Sequence, residues 1–367
     1  MRAATGESLQ ASQKSFRAAT PPKYMTPSER RLQSADGGKY VLIVGQEPTQ
    51  SAPTLTLSKA LTGMGVPVRF VTIDDVRRLD WLRIVRSARA VVLVSYLVFD
   101  AYRLSQLATA VACNVPIVRW WVGTDVLNVI TRENVRESAA LLDRIVSANV
   151  CVASHLVDEL ATAGIHAQFI PSVLDPDLVP PGVAPWFDGT KPILVYMPGG
   201  RKEFYGLSAI EPVIAANPDL HFIVMADETH ALASYQNVES LGWVSDMSHI
   251  YARAGCVLRI TDHDGLPRML MEGLLRGLYA IYSWPFVGCW KARTREEIDA
   301  ALSRYRAVTQ PNMVGRDAML EMLSAQPDRQ MESAITGAFV SLAVRGRALA
   351  LAIRIIFFNR RLDGVSG

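Results

Sequence analysis

Short, uninterrupted apolar runs alternate with longer stretches of helical period along most of this chain. Tyr40-Val-Leu-Ile-Val44 and residues 66–72, 90–95, 116–120 and 150–154 read as strands, while Leu55, Leu57, Leu61 and Met64, then 104–111 and 156–164, recur at helical spacing. The pattern restarts near Lys191, with strands at 192–197, 221–225, 256–260 and 279–282. Runs that are apolar at every position, not every second one, are buried on both faces. Strands of this kind separated by helices predict an α/β chain with doubly wound parallel sheets, whose ligands sit at the carboxyl ends of strands.

One strand–loop–helix–strand unit organises the second half. Between the runs Cys256-Val-Leu-Arg-Ile260 and Tyr279-Ala-Ile-Tyr282 lies Thr261-Asp-His-Asp-Gly-Leu-Pro-Arg-Met-Leu-Met-Glu272. Pro267 suits a first helical turn and Gly277 the position just past the last one. A helix N-terminus offers unpaired N–H groups and a positive dipole end to a diphosphate. Asp264 before that helix and Glu272 inside it stand on the order of 10 Å apart along the backbone, and a carboxylate accepts two hydroxyl hydrogen bonds, which suits the diols of a nucleotide-sugar. A plain α/β helix with a capping Asp and a solvent-facing Glu is the competing reading.

Other strand ends carry further candidates. Gly199, Gly200, Arg201 and Lys202 form a glycine-containing basic turn suited to phosphate approach, with Arg201 either neutralising a departing diphosphate or a solvated surface charge. Trp120-Trp-Val-Gly-Thr-Asp125 ends another strand; Asp125 either orients an acceptor hydroxyl or caps the next helix, and the tandem Trp either stack on a sugar or are buried. The loop after Val44 has no Gly-x-Gly-x-x-Gly and is no dinucleotide fingerprint. Asp262-His263-Asp264 is formally an Asp-x-Asp, yet its place before a helix with a basic turn upstream speaks against metal use, and no metal or other cofactor is expected.

Taken together, the stretch from Val238 to Tyr251, Asp264-Gly-Leu-Pro with Glu272, Gly277 and Ile281-Tyr-Ser283 resemble the C-terminal half of GT-B glycosyltransferases. The resemblance is to the large retaining family 4, whose signature is two Glu separated by seven residues; here it is Asp-x7-Glu. It extends over roughly Tyr40 to Ser283. The family's paired glycine in the first loop is absent, Val122 stands where its loop His does, Ser172-Val-Leu-Asp175 replaces Asn-Gly-Val-Asp, and the Lys expected five residues after Arg201 falls on Gly206.

The resemblance implies a GT-B fold, two Rossmann-like domains facing an interdomain cleft, and metal-independent transfer of a sugar from a nucleotide-diphosphate donor to a glycan, lipid-linked or small-molecule acceptor. It implies Gly199, Gly200, Arg201 and Lys202 at the donor diphosphate, Asp264, Gly265, Leu266 and Pro267 at the donor sugar, and Glu272 at the ribose. Trp243 and Val244 would edge the base pocket, and Gly123, Thr124 and Asp125 would face the acceptor. A nucleotide-sugar epimerase of the same fold and a catalytically degenerate binding or scaffold protein are the other readings.

Length and composition bound the rest. The 367 residues exceed one ordinary core, and Pro171, Pro176, Pro180, Pro181 and Pro185 mark a stiff linker. The expected organisation is a tail over 1–38 without an apolar signal core, an acceptor domain over 39–180, a donor domain over 181–335 and a terminal helix over 336–367. A net charge of +3 is too balanced for nucleic acid as a bulk partner. Cys113, Cys151, Cys256 and Cys289 share no metal-like spacing and read as core thiols of a reducing compartment, so a cytoplasmic protein is expected. No apolar run of about 18 residues lacks an Arg. The segment 348–361 is apolar apart from Arg354, Arg360 and Arg361, with Arg347, Arg354 and Arg361 on one stripe and Leu349, Ala352, Ile353 and Ile356 opposite. It reads either as a helix lying on a membrane surface at the inner face or as one packed across both domains.

Overall fold

In the computed structural model the described residues are 39–45, 52–72, 76–95, 97, 100–172, 182–183, 188–244 and 246–358. The tail over 1–38, most of the first loop, Val173 to Asp175, the linker prolines after Pro171, and Arg360 and Arg361 lie outside them.

The first sheet is built from β1 (Tyr40–Val44), β2 (Val68–Val71), β3 (Ala88–Val94), β4 (Ile117–Trp121), β5 (Ala148–Cys151) and β6 (Gln168–Phe169), in the order β2-β1-β3-β4-β5-β6. The second contains β7 (Ile193–Tyr196), β8 (Phe222–Met225), β9 (Val238–Ser240), β10 (Cys256–Arg259), β11 (Tyr279–Tyr282) and β12 (Trp290–Lys291), ordered β12-β11-β10-β7-β8-β9. Every pairing is parallel, with Ile43 beside both Phe70 and Val92 and Leu258 beside both Val195 and Ile281. These are the doubly wound sheets that the uniform apolar runs require. Strands β4 and β10 are buried along their whole length, and β3 everywhere except Arg89.

Helices cover both faces of the first sheet. On one side, α1 (Ala52–Gly63) supplies Leu57 and Leu61 to a buried cluster that continues through Trp120, Trp121 and Leu156 into Leu266, Leu270 and Met271 of the second lobe. On the other, α2 (Arg78–Arg86) and α3 (Ala101–Ala112) pack Trp81, Val85, Leu104 and Val111 against Leu42, Val91 and Leu93. Between β4 and β6 come α4 (Thr124–Thr131), α5 (Glu133–Asp143) and α6 (Ser154–Thr162). The second lobe adds α7 (Leu207–Ala216), α8 (Ser248–Arg253), α9 (Arg268–Leu275), α10 (Arg295–Arg306) and α11 (Met313–Ser324).

The chain then returns to the first lobe. Thr336, the last residue of α12 (Pro327–Thr336), accepts a hydrogen bond from Arg89 of β3 at 3.4 Å, so the crossing precedes residue 336. Finally α13 (Leu342–Phe358) lies against α3, with Ala348 and Ala352 buried in the same cluster as Trp81 and Leu104. Its inward face is Val344, Ala348, Ala352 and Ile355. The expected grouping of Ala352 with Leu349 and Ile353 is therefore corrected: Leu349 and Ile353 point outward.

The four cysteines are free thiols. Burial pushes the Cys289 thiol up to about 12 and raises Cys151 and Cys256 as well, which leaves all three unreactive.

Candidate functional site

Strands β7 and β10 are neighbours whose chains leave in opposite directions, β7 towards β8 and β10 towards β11. Such a reversal opens a crevice at the carboxyl ends. The two loops that leave it are fastened together: Asp262 N–H donates to Phe204 O at 3.0 Å, and Gly206, at φ +74°, leaves only 2.7 Å between a Cβ and Ile260 Cγ2. No other residue type meets both conditions without displacing Ile260.

Within this crevice Asp264 is held by Arg259. Nε and Nη2 of the guanidinium reach Oδ2 at 3.0 and 2.7 Å, and Oδ1 accepts from Gly265 N–H at 3.0 Å. Arg259 ends β10 buried, its guanidinium 4.8 Å from the Tyr196 ring and 4.6 Å from the Tyr205 ring. Burial works to strip its proton, while Asp264 and Tyr205 outweigh that and leave its pKa raised. The cation is fixed.

Arg201 joins the same group from the other loop. Gly199–Arg201 form a single 3-10 turn, and the exposed Arg201 guanidinium lies 4.1 Å from the Phe204 ring and 5.8 Å from that of Tyr205. Arg201, Tyr205, Arg259 and Asp264 are thus consecutive contacts, and the cationic turn and the carboxylate share one end of the second sheet. Gly200 has open space where a side chain would be, whereas Gly199 is pressed on Thr229; Lys202 is half-buried.

The first lobe meets this loop through glycine. A Cβ on Gly123, at φ +141°, would lie 2.9 Å from Gly265 N, and one on Gly265 would lie 2.7 Å from Val122 O. Leu266 is buried behind the contact and Pro267 caps α9. Thr124 opens α4, half-buried. Asp125 is buried, and its Oδ1 accepts N–H groups from Gly123, Val126 and Val122 at 2.8, 3.0 and 3.1 Å. Burial raises its pKa against the pull of these donors and of Arg119. Asp125 lies inside α4, not in the loop before it, and its carboxylate turns back to hold the N–H groups of Val122 and Gly123.

Glu272 is buried on α9 and not solvent-facing, which corrects that reading. Arg268 Nε donates to Glu272 Oε1, and Arg268 Nη1 reaches Thr56 Oγ1 of α1 at 3.2 Å. The carboxylate expected at a ribose is therefore neutralised by an arginine one turn earlier that bridges to the other lobe. Of the two readings of the tandem Trp, burial is the one observed: Trp120 and Trp121 both lie in the first core, Trp121 Nε1 donating to Asn149 Oδ1 at 3.1 Å, so neither presents a face to a sugar. Trp243 is 73% exposed, while Val244 packs on the core.

The sequence reading missed a group at the lobe boundary. His155 and Glu159, one turn apart on α6, reach across to the Asp264 loop: His155 Nε2 lies 2.8 Å from Asp264 O and His263 Nε2 lies 2.8 Å from Glu159 Oε2. The His155 ring stacks on Trp284 at 4.7 Å with 6° between planes. The legible signal was an i, i+4 His/Glu pair at the start of a helix that follows a strand. His263 and Asp264 take separate partners, Glu159 and Arg259, and among the described residues no three His, Cys, Asp or Glu side chains gather as a metal site would require.

No protein-family model matches the chain, and no curated protein is similar to it in sequence. Solved structures are similar in fold. HepE of Anabaena in complex with UDP-glucose superposes on 80% of this chain and 98% of its own with a TM-score of 0.61 at 13% identity. The same protein with UDP and glucose covers 81% and 99%, at 12% identity and a TM-score of 0.61. Sucrose-phosphate synthase from Thermosynechococcus elongatus covers 89% and 100% at 10% identity, with a TM-score of 0.49. The likeness to HepE establishes the fold: two Rossmann-like parallel sheets of GT-B type.

Proposed function

We propose that this protein is a glycosyltransferase that moves a sugar from a nucleotide-diphosphate donor to a glycan, lipid-linked or small-molecule acceptor. The observation that carries the reading is the convergence of Arg201, the Arg259–Asp264 pair and the N-terminus of α9 at the β7/β10 crevice, opposite the Gly123 loop. HepE, whose fold is similar, was crystallised with UDP-glucose. In this reading residues 39–180 hold the acceptor, residues 181–335 hold the donor, and the protein works in the cytoplasm, peripheral to the inner membrane face.

Each group then has a task. The α9 N-terminus, the Gly199–Gly200 backbone and Arg201, with Lys202 beside it, hold the diphosphate and take up charge as the bond from the anomeric carbon to the phosphate oxygen breaks. No metal is called for in that step. Asp264, kept in one rotamer by Arg259, binds hydroxyls of the donor sugar beside Gly265, Leu266 and Pro267. Glu272 receives the ribose diol once Arg268 turns towards phosphate, and Trp243 and Val244 edge the base. The acceptor oxygen arrives past Gly123, Thr124 and Asp125, bonds to the anomeric carbon on the face the diphosphate leaves, and passes its proton to the departing phosphate oxygen. Configuration is retained without a protein nucleophile.

Calorimetry with a panel of nucleoside diphosphates and their sugars tests the reading. Saturable binding of one base's diphosphate, weakened at least tenfold in Arg201→Ala, as loss of a charge-assisted contact requires, is expected. Silence across the whole panel overturns the proposal in favour of a scaffold. Release of an isomerised nucleotide-sugar without any acceptor would identify an epimerase.

A further inference from the structure

The outer face of the first lobe carries a feature that the donor site does not use. Helix α13 buries Val344, Ala348, Ala352 and Ile355 against α3, yet its outward side is apolar too: Leu342 is 86% exposed, Leu349 52% and Ile353 47%. At 3.6 residues per turn these three fall on one stripe, with Arg345 along one border and Arg347 and Arg354 along the other. The 17-residue helix contains no acid. Arg345 and Arg347 are braced by hydrogen bonds from Nε to Ala112 O at 2.9 Å and Arg144 O at 3.1 Å. They stand as a fixed rim.

Helix α2 packs on the same side of the sheet, joined to α3 by Trp81 Nε1 donating to Gln106 O at 2.6 Å and by Arg78 over the Tyr102 ring at 4.8 Å. It and the residue before it carry Arg77, Arg78, Arg83 and Arg86 against Asp80, and Leu79 is exposed. The chain as a whole is nearly balanced, 38 basic against 35 acidic residues. On this face, by contrast, the seven arginines of the two helices and of the residue before α2 stand against a single acid, Asp80.

We infer that the α2/α13 face docks on an anionic lipid bilayer, with Leu342, Leu349 and Ile353 entering the headgroup boundary and the arginines meeting lipid phosphates. An apolar ridge bordered by arginine satisfies both halves of an interfacial surface at once. A second copy of the chain is a poor occupant, because it would bring seven arginines with one aspartate onto the same set. No helix among the described residues is long and apolar enough to cross a membrane, so attachment is to the surface. The inference stands on the lobe's outer face, and lipid binding and nucleotide binding succeed or fail separately.

Co-sedimentation of the full chain with vesicles tests it. Binding to phosphatidylcholine vesicles that contain phosphatidylglycerol, and not to phosphatidylcholine alone, is expected at low salt. Arg354→Glu should weaken it on the order of tenfold or more, and Leu349→Ser with Ile353→Ser should weaken it at least tenfold, both with an unchanged thermal melt and unchanged nucleotide titration. Failure to pellet with anionic vesicles overturns the inference. So does equal binding to neutral ones, or a dimer on sizing chromatography that Leu349→Ser with Ile353→Ser dissolves.

Discussion

Gly123 and Gly265 stand face to face between the two lobes, each occupying the space in which the other's neighbours leave no room for a Cβ. The obstruction on both sides is backbone, Gly265 N at 2.9 Å and Val122 O at 2.7 Å, so no rotamer change relieves it. Gly265→Ala should therefore cost about 1–3 kcal/mol, read as a lower denaturant midpoint with an unchanged slope. Gly123→Ala adds the strain of φ +141° to the same clash and should cost at least as much. Midpoints equal to that of the unaltered protein would mean the lobes part freely here.

Arg259→Met removes the cation that fixes Asp264 while leaving an apolar chain between Tyr196 and Tyr205. Binding of the nucleotide-sugar should fall at least tenfold, as expected when a charge-assisted bond is lost, while that of the bare diphosphate changes little. Equal losses for both ligands would assign Arg259 to the phosphate instead.

Glu272 and Arg268 make a pair with one buried and one partly exposed member. Arg268→Ala should destabilise by about 2 kcal/mol, below the 3–5 kcal/mol of a fully buried pair because water reaches the arginine. Glu272→Gln should weaken nucleotide affinity if the carboxylate binds ribose. Unchanged affinity in that variant would remove the assignment.

Asp125 supplies a pH signature. Its folded pKa is raised by burial, so above the ordinary carboxylate value of about 3.9 the unfolded chain has released a proton that the folded chain still holds. Stability therefore falls as pH rises through that window towards the raised folded value. Asp125→Asn keeps an oxygen for the three backbone donors and should abolish this fall, visible in melts recorded from about pH 4 upward. If the variant also keeps the proposed sugar transfer, the only task of Asp125 is to hold its loop.

Much of this arrangement was legible because parallel strands buried on both faces write themselves as apolar runs: β1, β7 and β10 lie within the expected ones, and β3 starts two residues earlier, at Ala88 and the exposed Arg89. Helix α9 was legible by its ends: Pro267 caps it, and Gly277, at φ +76°, follows its last turn. Partners were harder. Arg259 and Asp264 lie on a strand end and the loop after it, and only the sheet's geometry turns them together. Glu272 had Arg268 at i−4 in plain view, yet spacing alone does not say whether such a pair faces water or the opposite lobe. In α13 both sides are apolar, so periodicity could not choose the inward one; the groove beside α3 decides it.

Removing residues 342–367 would strip Val344, Ala348, Ala352 and Ile355 from the first lobe's core. Such a truncation should lose the cooperative melt of that lobe, whereas Leu349→Ser with Ile353→Ser should leave it intact. A truncated chain that melts normally would make α13 an accessory.

That packing also sets an order of assembly during translation. Arg345 binds the carbonyl of Ala112, a residue made 233 positions earlier. The lobe synthesised first must wait on the ribosome with one wall of its interior open, while the lobe synthesised second can close as soon as it emerges. Whatever shields the bare side of α3 in the interval, whether solvent or a chaperone, yields its place to α13.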